Sequence, residues 1–329
     1  MTSRRQILVA AAIGLIPPPV LGQVRRIPRV GVLHAGSSKE PLAVQREPFE
    51  RGLRDLGWLP GSTIIIDYRY AEGDRAKLAP LAEELVRAKV DVIVARADVA
   101  IGVARKATPT IPIVMAAYVG DPAADGVVKS VSRPGGNVTG IGNFLDLDPK
   151  RLELLKDAFP RTRRIGVVLN PALDGGKWAE RQAKLGDAAS ALKLQLQFFE
   201  IRRPGQIADT FAAVAKARVD ALLVRGDPEV LDAHRADIAA QAAKLRVPAI
   251  YWWRFVVEAG GLMSYGISIA GVHNRSATFV DRILKGAKAS ELAVELPSKF
   301  ELLVNLNAAK ALGIQIPRDF LMRADDVIQ

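Results

Sequence analysis

Six short polar segments follow aliphatic runs in this chain, and they carry most of its recognition chemistry. They are His34-Ala35-Gly36-Ser37-Ser38, Arg96-Ala97-Asp98, Tyr118-Val119-Gly120-Asp121-Pro122, Asn170-Pro171-Ala172-Leu173-Asp174, Arg225-Gly226-Asp227-Pro228 and Tyr251-Trp252-Trp253-Arg254. An arginine fork holds a carboxylate through two parallel hydrogen bonds, while indole and phenol rings supply area for stacking. The candidate binding set is therefore His34, Ser37, Ser38, Arg96, Asp98, Tyr118, Asp121, Asn170, Asp227, Trp252, Trp253 and Arg254, with Tyr265 further along. Each has a structural alternative. Asp121-Pro122 and Asp227-Pro228 also fit helix starts, with Asp at the cap and Pro in the first turn. Ser37 and Ser38 fit a helix cap, Trp252 and Trp253 fit core filling, and His34 fits a satisfied structural histidine.

Catalytic signatures are missing. Gly261-Leu262-Met263-Ser264-Tyr265-Gly266 has Leu262 where a nucleophile elbow requires its first glycine. Asp174-Gly175-Gly176-Lys177 lacks the rest of a phosphate loop, and no carboxylate pair has spacing that singles it out as an acid and base. With no cysteine and three histidines, thiolate zinc sites, iron–sulfur clusters and cysteine nucleophiles are excluded. No cofactor and no metal are expected, and the chain is read as a binding protein rather than an enzyme.

The elements that must position these loops alternate. Val30–Leu33, Thr63–Ile66, Val92–Val94 and Ile111–Met115 read as strands, separated by helices over 41–57, 74–89 and 98–107. Asp74 is a cap candidate and Gly57 a stop. After the glycine-rich stretch Arg133–Asn143 the series restarts, with helices over 149–159, 176–192, 205–217 and 228–245. Its strands are Ile165–Leu169, Leu194–Phe199, Ala221–Val224 and Pro248–Tyr251. Aliphatic strands joined by single helices predict parallel sheets covered on both faces. The fold class is therefore α/β, with two doubly wound lobes facing each other across a cleft, and ligands of such sheets lie at the strands' carboxyl ends. The 329 residues suffice for two such lobes.

Residues 1–22 combine Arg4-Arg5 with a ten-residue apolar run and Pro17-Pro18-Pro19. The run is too short to span a bilayer, so the segment is expected to be an export signal, of Sec or twin-arginine type, cut near Gly22. The net charge of +11 is scattered beside acids along helices, as in Arg54-Asp55 and Asp281-Arg282, and reads as a solvated surface with no nucleic-acid partner.

Five strings occur in order: Asp121-Pro122, Ser132-Arg133-Pro134-Gly135-Gly136-Asn137-Val138-Thr139-Gly140, Val257-Glu258-Ala259-Gly260-Gly261-Leu262-Met263-Ser264-Tyr265-Gly266, Asp281-Arg282-Ile283-Leu284-Lys285-Gly286 and Pro297-Ser298-Lys299-Phe300-Glu301-Leu302. Together they resemble the ABC-transporter substrate-binding proteins of the tryptophan/tyrosine type, across nearly all of 28–329. The resemblance implies a type I periplasmic-binding fold with three crossovers. Residues 28–142 plus 267–295 would form the first lobe, and 143–266 plus 296–329 the second. Hinges are expected near Gly140–Asn143, Gly266–Ile267 and Leu296–Pro297. It further implies a periplasmic monomer that delivers a small molecule to an inner-membrane ABC permease.

The chain departs from the family at Ala97-Asp98-Val99 and in the bulk of Tyr251-Trp252-Trp253, so the ligand is not implied by the family alone. The expectation is a carboxylate with an apolar or aromatic body, such as an amino acid. Arg254 or Arg96 would hold the acid group, and Ser37, Ser38 and Asp121 would add polar contacts. Tyr118, Trp252, Trp253 and Tyr265 would flank the body. Two other readings remain: a LacI-like ligand-responsive regulator, which needs a helix-turn-helix ahead of Val30, and a hydrolase on the same fold.

Overall fold

A computed structural model describes residues 26–36, 46–96, 98–143, 145–171, 178–226, 230–231 and 233–329. The expected export signal over 1–22, Ser37, Ser38 and Asp227 lie outside the described residues.

The first sheet is built from β1 (Arg29–His34), β2 (Ile65–Tyr70), β3 (Val92–Arg96), β4 (Ile113–Val119) and β5 (Val138–Asn143), all parallel in the order β2-β1-β3-β4-β5. Helices α1 (Arg46–Asp55), α2 (Leu78–Arg87) and α3 (Asp98–Ala107) connect them. The central strands are aliphatic and buried because helices cover both faces, which separates the lobe's core into two. Phe49 and Leu53 are the buried stripe of α1, and Gly57 stops the turn beyond it with φ 88°. Asp74 caps a 3-10 turn by accepting from the Ala76 N–H.

The second sheet has the order β12-β11-β10-β9-β8-β6-β7. Its elements in chain order are α4 (Asp148–Ala158), β6 (Arg164–Leu169), α5 (Trp178–Ala191), β7 (Gln195–Glu200), α6 (Ile207–Ala217), β8 (Ala221–Val224), α7 (Arg235–Leu245), β9 (Ala249–Tyr251), α8 (Arg254–Glu258) and β10 (Met263–Ile267). Then α9 (Ile269–Leu284) packs on α1 and on β3, β4 and β5 of the first sheet. The chain returns as β11 (Phe300–Asn305), α10 (Leu306–Leu312), α11 (Arg318–Leu321) and β12 (Asp326–Ile328), with β11 antiparallel to β10. Two α/β sheets joined by three crossovers result: β5 to α4, β10 to α9, and the segment ending at Glu295 to β11.

The glycine-rich string is a fastening. Gly140 has φ 128°, and a Cβ there would lie 2.3 Å from the Met115 carbonyl oxygen, so only glycine lets β5 approach β4 this closely. The Asn137 amide donates to the Thr108 and Ile111 carbonyls, and the Thr139 hydroxyl donates to Leu292 O at 2.6 Å. Glu295 N–H donates to Gly140 O, tying the third crossover to the first.

Behind the carboxyl ends of β1 and β3, the His34 and Arg96 side chains meet at 2.5 Å beside buried His273 of α9. Burial, reinforced by repulsion from Arg96 and then His34, holds the His273 imidazole neutral well below the usual histidine range. An unfolded chain takes up that proton near pH 6.5, so this stability is present above pH 6.5 and lost as pH falls below it, at most about 1.4 kcal/mol per pH unit. Urea midpoints taken between pH 7.5 and 5.5 should therefore fall more steeply for the wild type than for His273→Gln. Parallel profiles would show that His273 does not carry the effect.

Candidate functional site

The site begins with a distortion in β4. Its pairing with β5 skips Ala117, which sits left-handed at φ 63°, and the bulge re-aims the strand end. Tyr118 turns into the first lobe's core, with its hydroxyl donating to Asp125 at 3.0 Å, while Val119 is 37% exposed. Val119 faces a narrow crevice with about 20 Å³ of free volume that it lines with Leu145, Asp146, Leu147, Arg151, Arg181, Trp252, Trp253 and Ile267. Leu145 is likewise 39% exposed, so the crevice shows apolar surface from both the β4 end and the first crossover.

Its wall is a buried polar cluster. Asp148 opens α4, and its Oδ1 accepts from Arg151 Nη1 at 2.7 Å and from Trp252 Nε1 at 2.8 Å. Its Oδ2 accepts from Arg225 Nε at 2.8 Å. Burial alone would raise the Asp148 carboxyl, but Arg151 and then Arg225, with the Trp252 hydrogen bond, hold it below the usual carboxylate range. Arg151 also donates from Nε to Tyr265 O at 2.7 Å, linking the root of the first crossover to β10. The Trp252 ring lies between cations, 4.7 Å from the Arg151 guanidinium carbon and 5.3 Å from that of Arg225. Trp253 packs against core residues of both lobes and lies edge-on to Trp252. The two indoles thus sit where the lobes meet.

The remaining sequence candidates are spread more widely. His34 and Arg96 touch each other at the strand ends of the first lobe, and Asn170 is buried at the end of β6. Asp98 starts α3 and accepts from the Val119 N–H at 2.8 Å, which ties it to the crevice edge. Loss of water around the carboxyl, opposed by the Val119 N–H and reinforced by Asp125, pushes it up to about 7.

Asp121 serves as a local cap, with Oδ1 accepting from Ala123 and Ala124 N–H. Tyr265 stacks on Phe300 and packs against the second lobe's core. Arg254 differs most from expectation. Instead of opening into the cleft it starts α8, where Glu258 and Asp326 each accept from it at 2.7 Å and Glu301 lies at 3.8 Å. Three carboxylates surround that guanidinium. Tyr118 and Asp121 likewise have protein partners.

Sequence reasoning passed over Asp148, Arg151, Asp146, Arg181 and Leu145. Arg225 was visible directly after an aliphatic strand. Asp148 and Arg151 carry only the signal of an i, i+3 pair in a first helical turn, which is common on exposed helices.

The model of the ABC transporter substrate binding protein family matches residues 32–328. The chain belongs to that family. It is 28% identical over 270 residues to the tyrosine-binding protein of Clostridioides difficile (strain R20291), spanning 82% of this chain and 76% of that one. The structure of the ABC domain in complex with L-Trp from Streptococcus pneumonia superposes with a TM-score of 0.77 at 27% identity, covering 92% and 99% of the two chains. The ligand-free, open structure of a substrate-binding protein with adhesive properties from Clostridium difficile gives 0.71 at 26%, covering 92% and 100%. These neighbours are type I periplasmic binding folds, and the relatives are binding proteins rather than enzymes. In this substrate-binding protein the glycine-rich family string belongs to lobe construction.

Proposed function

We propose that this substrate-binding protein is exported to the periplasm, captures an aromatic amino acid between its lobes and delivers it to an ABC permease. The observation that carries the reading is the pairing, in one crevice, of two indoles and exposed aliphatic side chains with Arg151 and Asp146. An apolar side chain finds area on the first group, and a zwitterionic headgroup finds opposite charges on the second. The tyrosine-binding and L-Trp-bound relatives support the same ligand class. Because the crevice is lined by Val119 at the end of β4 in one lobe and by Arg151 of α4 and Trp252 after β9 in the other, a ligand touching both favours the closed arrangement.

Thermal-shift and calorimetric titrations with L-tryptophan, L-tyrosine, L-phenylalanine and D-allose test this. Micromolar binding of at least one aromatic amino acid is expected, with about 2.7 kcal/mol of stabilisation at a hundredfold excess over Kd. Small-angle scattering should show compaction with the bound ligand. Binding confined to the sugar would overturn the proposal.

A further inference from the structure

We infer that the Nη2 of Arg151 anchors the ligand's α-carboxylate, and that Asp146 receives its α-ammonium. The inference rests on the aromatic amino-acid reading and deepens it to the atoms that select the headgroup. The Arg151 side chain is 3% exposed yet lines the crevice. Nε is taken by Tyr265 O and Nη1 by Asp148 Oδ1, whereas Nη2 has no hydrogen-bond partner among the described residues. Among those residues, Asp67 Oδ2 is the one fully enclosed side-chain polar atom without a partner. Nη2 is therefore not fully enclosed, and its residue lines the crevice.

The guanidinium is also pre-oriented. Two directional hydrogen bonds and the Trp252 ring at 4.7 Å fix its plane, so an incoming carboxylate meets a fork that has already lost its rotamer freedom. Asp148 gives Arg151 a single oxygen and divides its charge with Arg225. Burial, opposed only in part by Asp148, pulls the Arg151 guanidinium below its ordinary range, as expected of a buried cation short of counter-charge.

Asp146 lines the same crevice, and its Oδ1 accepts from the Asp148 N–H at 3.1 Å. A carboxylate two residues from Asp148 on the same wall is placed to receive an ammonium one carbon away from the anchored acid. The ligand body then points toward Val119, Leu145 and Trp253. Asp148 itself is a positioning residue, because it reaches the ligand only through Arg151.

Calorimetry on the full chain compares L-tryptophan with tryptophanamide, which lacks the carboxylate, and with indole-3-propionate, which lacks the ammonium. Wild type should bind the amide about 100-fold more weakly than the amino acid, as expected for losing a charged fork. In Arg151→Gln and Arg151→Lys, with folding checked by circular dichroism, the acid-over-amide ratio should fall toward 1. Asp146→Asn should erase the preference for tryptophan over indole-3-propionate while keeping the acid-over-amide ratio.

Arg181→Gln should keep that ratio, and its loss there would move the anchor to Arg181 and overturn the assignment even if neither Arg151 variant folds. Equal binding of acid and amide by wild type, or an undiminished ratio in the Arg151 variants, would also overturn it while leaving the aromatic reading intact. Failure of all three compounds and of L-tyrosine to bind folded wild type would overturn both.

Discussion

Asp148→Asn is expected to lower the unfolding free energy by about 3–5 kcal/mol, because it removes the carboxylate shared by two buried guanidiniums. The substituted amide would keep one acceptor, but Arg151 and Arg225 would then sit 3% and 5% exposed with less counter-charge and would weaken each other. Urea unfolding at pH 7, followed by tryptophan fluorescence, measures the loss, and a change below about 1 kcal/mol would contradict the buried cluster. The pH dependence has a definite sign. The folded-state pKa of Asp148 is depressed, so its contribution is present above the unfolded carboxylate value near 3.9 and is lost as pH falls through the folded one. The wild type should therefore lose this contribution only in acid, and the amide variant should lack it at every pH.

The second large effect is expected at Gly266→Ala. A Cβ at Gly266 would lie 2.1 Å from the Trp252 carbonyl oxygen, a backbone atom that no rotamer change can withdraw. Relief requires β10 to separate from the loop after β9, which puts the expected cost at or above the upper end of overpacking, about 3 kcal/mol. The same shift moves Trp252 and the Tyr265 carbonyl that fixes Arg151, so ligand affinity should fall along with the urea midpoint. Gly102→Ala, inside α3 where a Cβ meets nothing within 4 Å, serves as the control and should leave ligand affinity unchanged and the urea midpoint equal or slightly raised, alanine being the better helix former by up to about 1 kcal/mol. If Gly266→Ala behaved like that control, the close approach at the second crossover would not exist in solution.

The extent to which this site was legible in the sequence follows from distance along the chain. Asp74 as a cap, Gly57 as a stop and the aliphatic strand of Val92–Val94 depend on neighbours within a turn or on residue type alone, and the structure has them. Asp121 was readable both as a cap and as a ligand contact, and the structure shows the local use, since its carboxylate is two residues from the amide it accepts from. Trp252 was singled out for its size and its place after a strand. Its partner Asp148 is 104 residues away, and no spacing rule joins the two.

Arg254 and Arg151 show the same boundary most clearly. Arg254 follows an aromatic run at a strand end, which is where an open arginine belongs, but the strand stops at Tyr251 and a helix begins at Arg254. Glu258 is then one turn away, and Asp326 arrives from 72 residues later on β12. Arg151 looked like one cation among many on an amphipathic helix, and it became buried only because β10, Arg225 and Trp252 converge on it.

The sequence by itself determined the alternation of parallel strands and helices, the two-lobed α/β class and the family, because period, residue type and ordered strings are properties of the chain alone. Tertiary structure decided which arginine is buried with a free donor, which tryptophan spans both cores and which tyrosine turns inward. Burial and charge pairing depend on groups that sequence separates by tens of residues and folding brings within 3 Å.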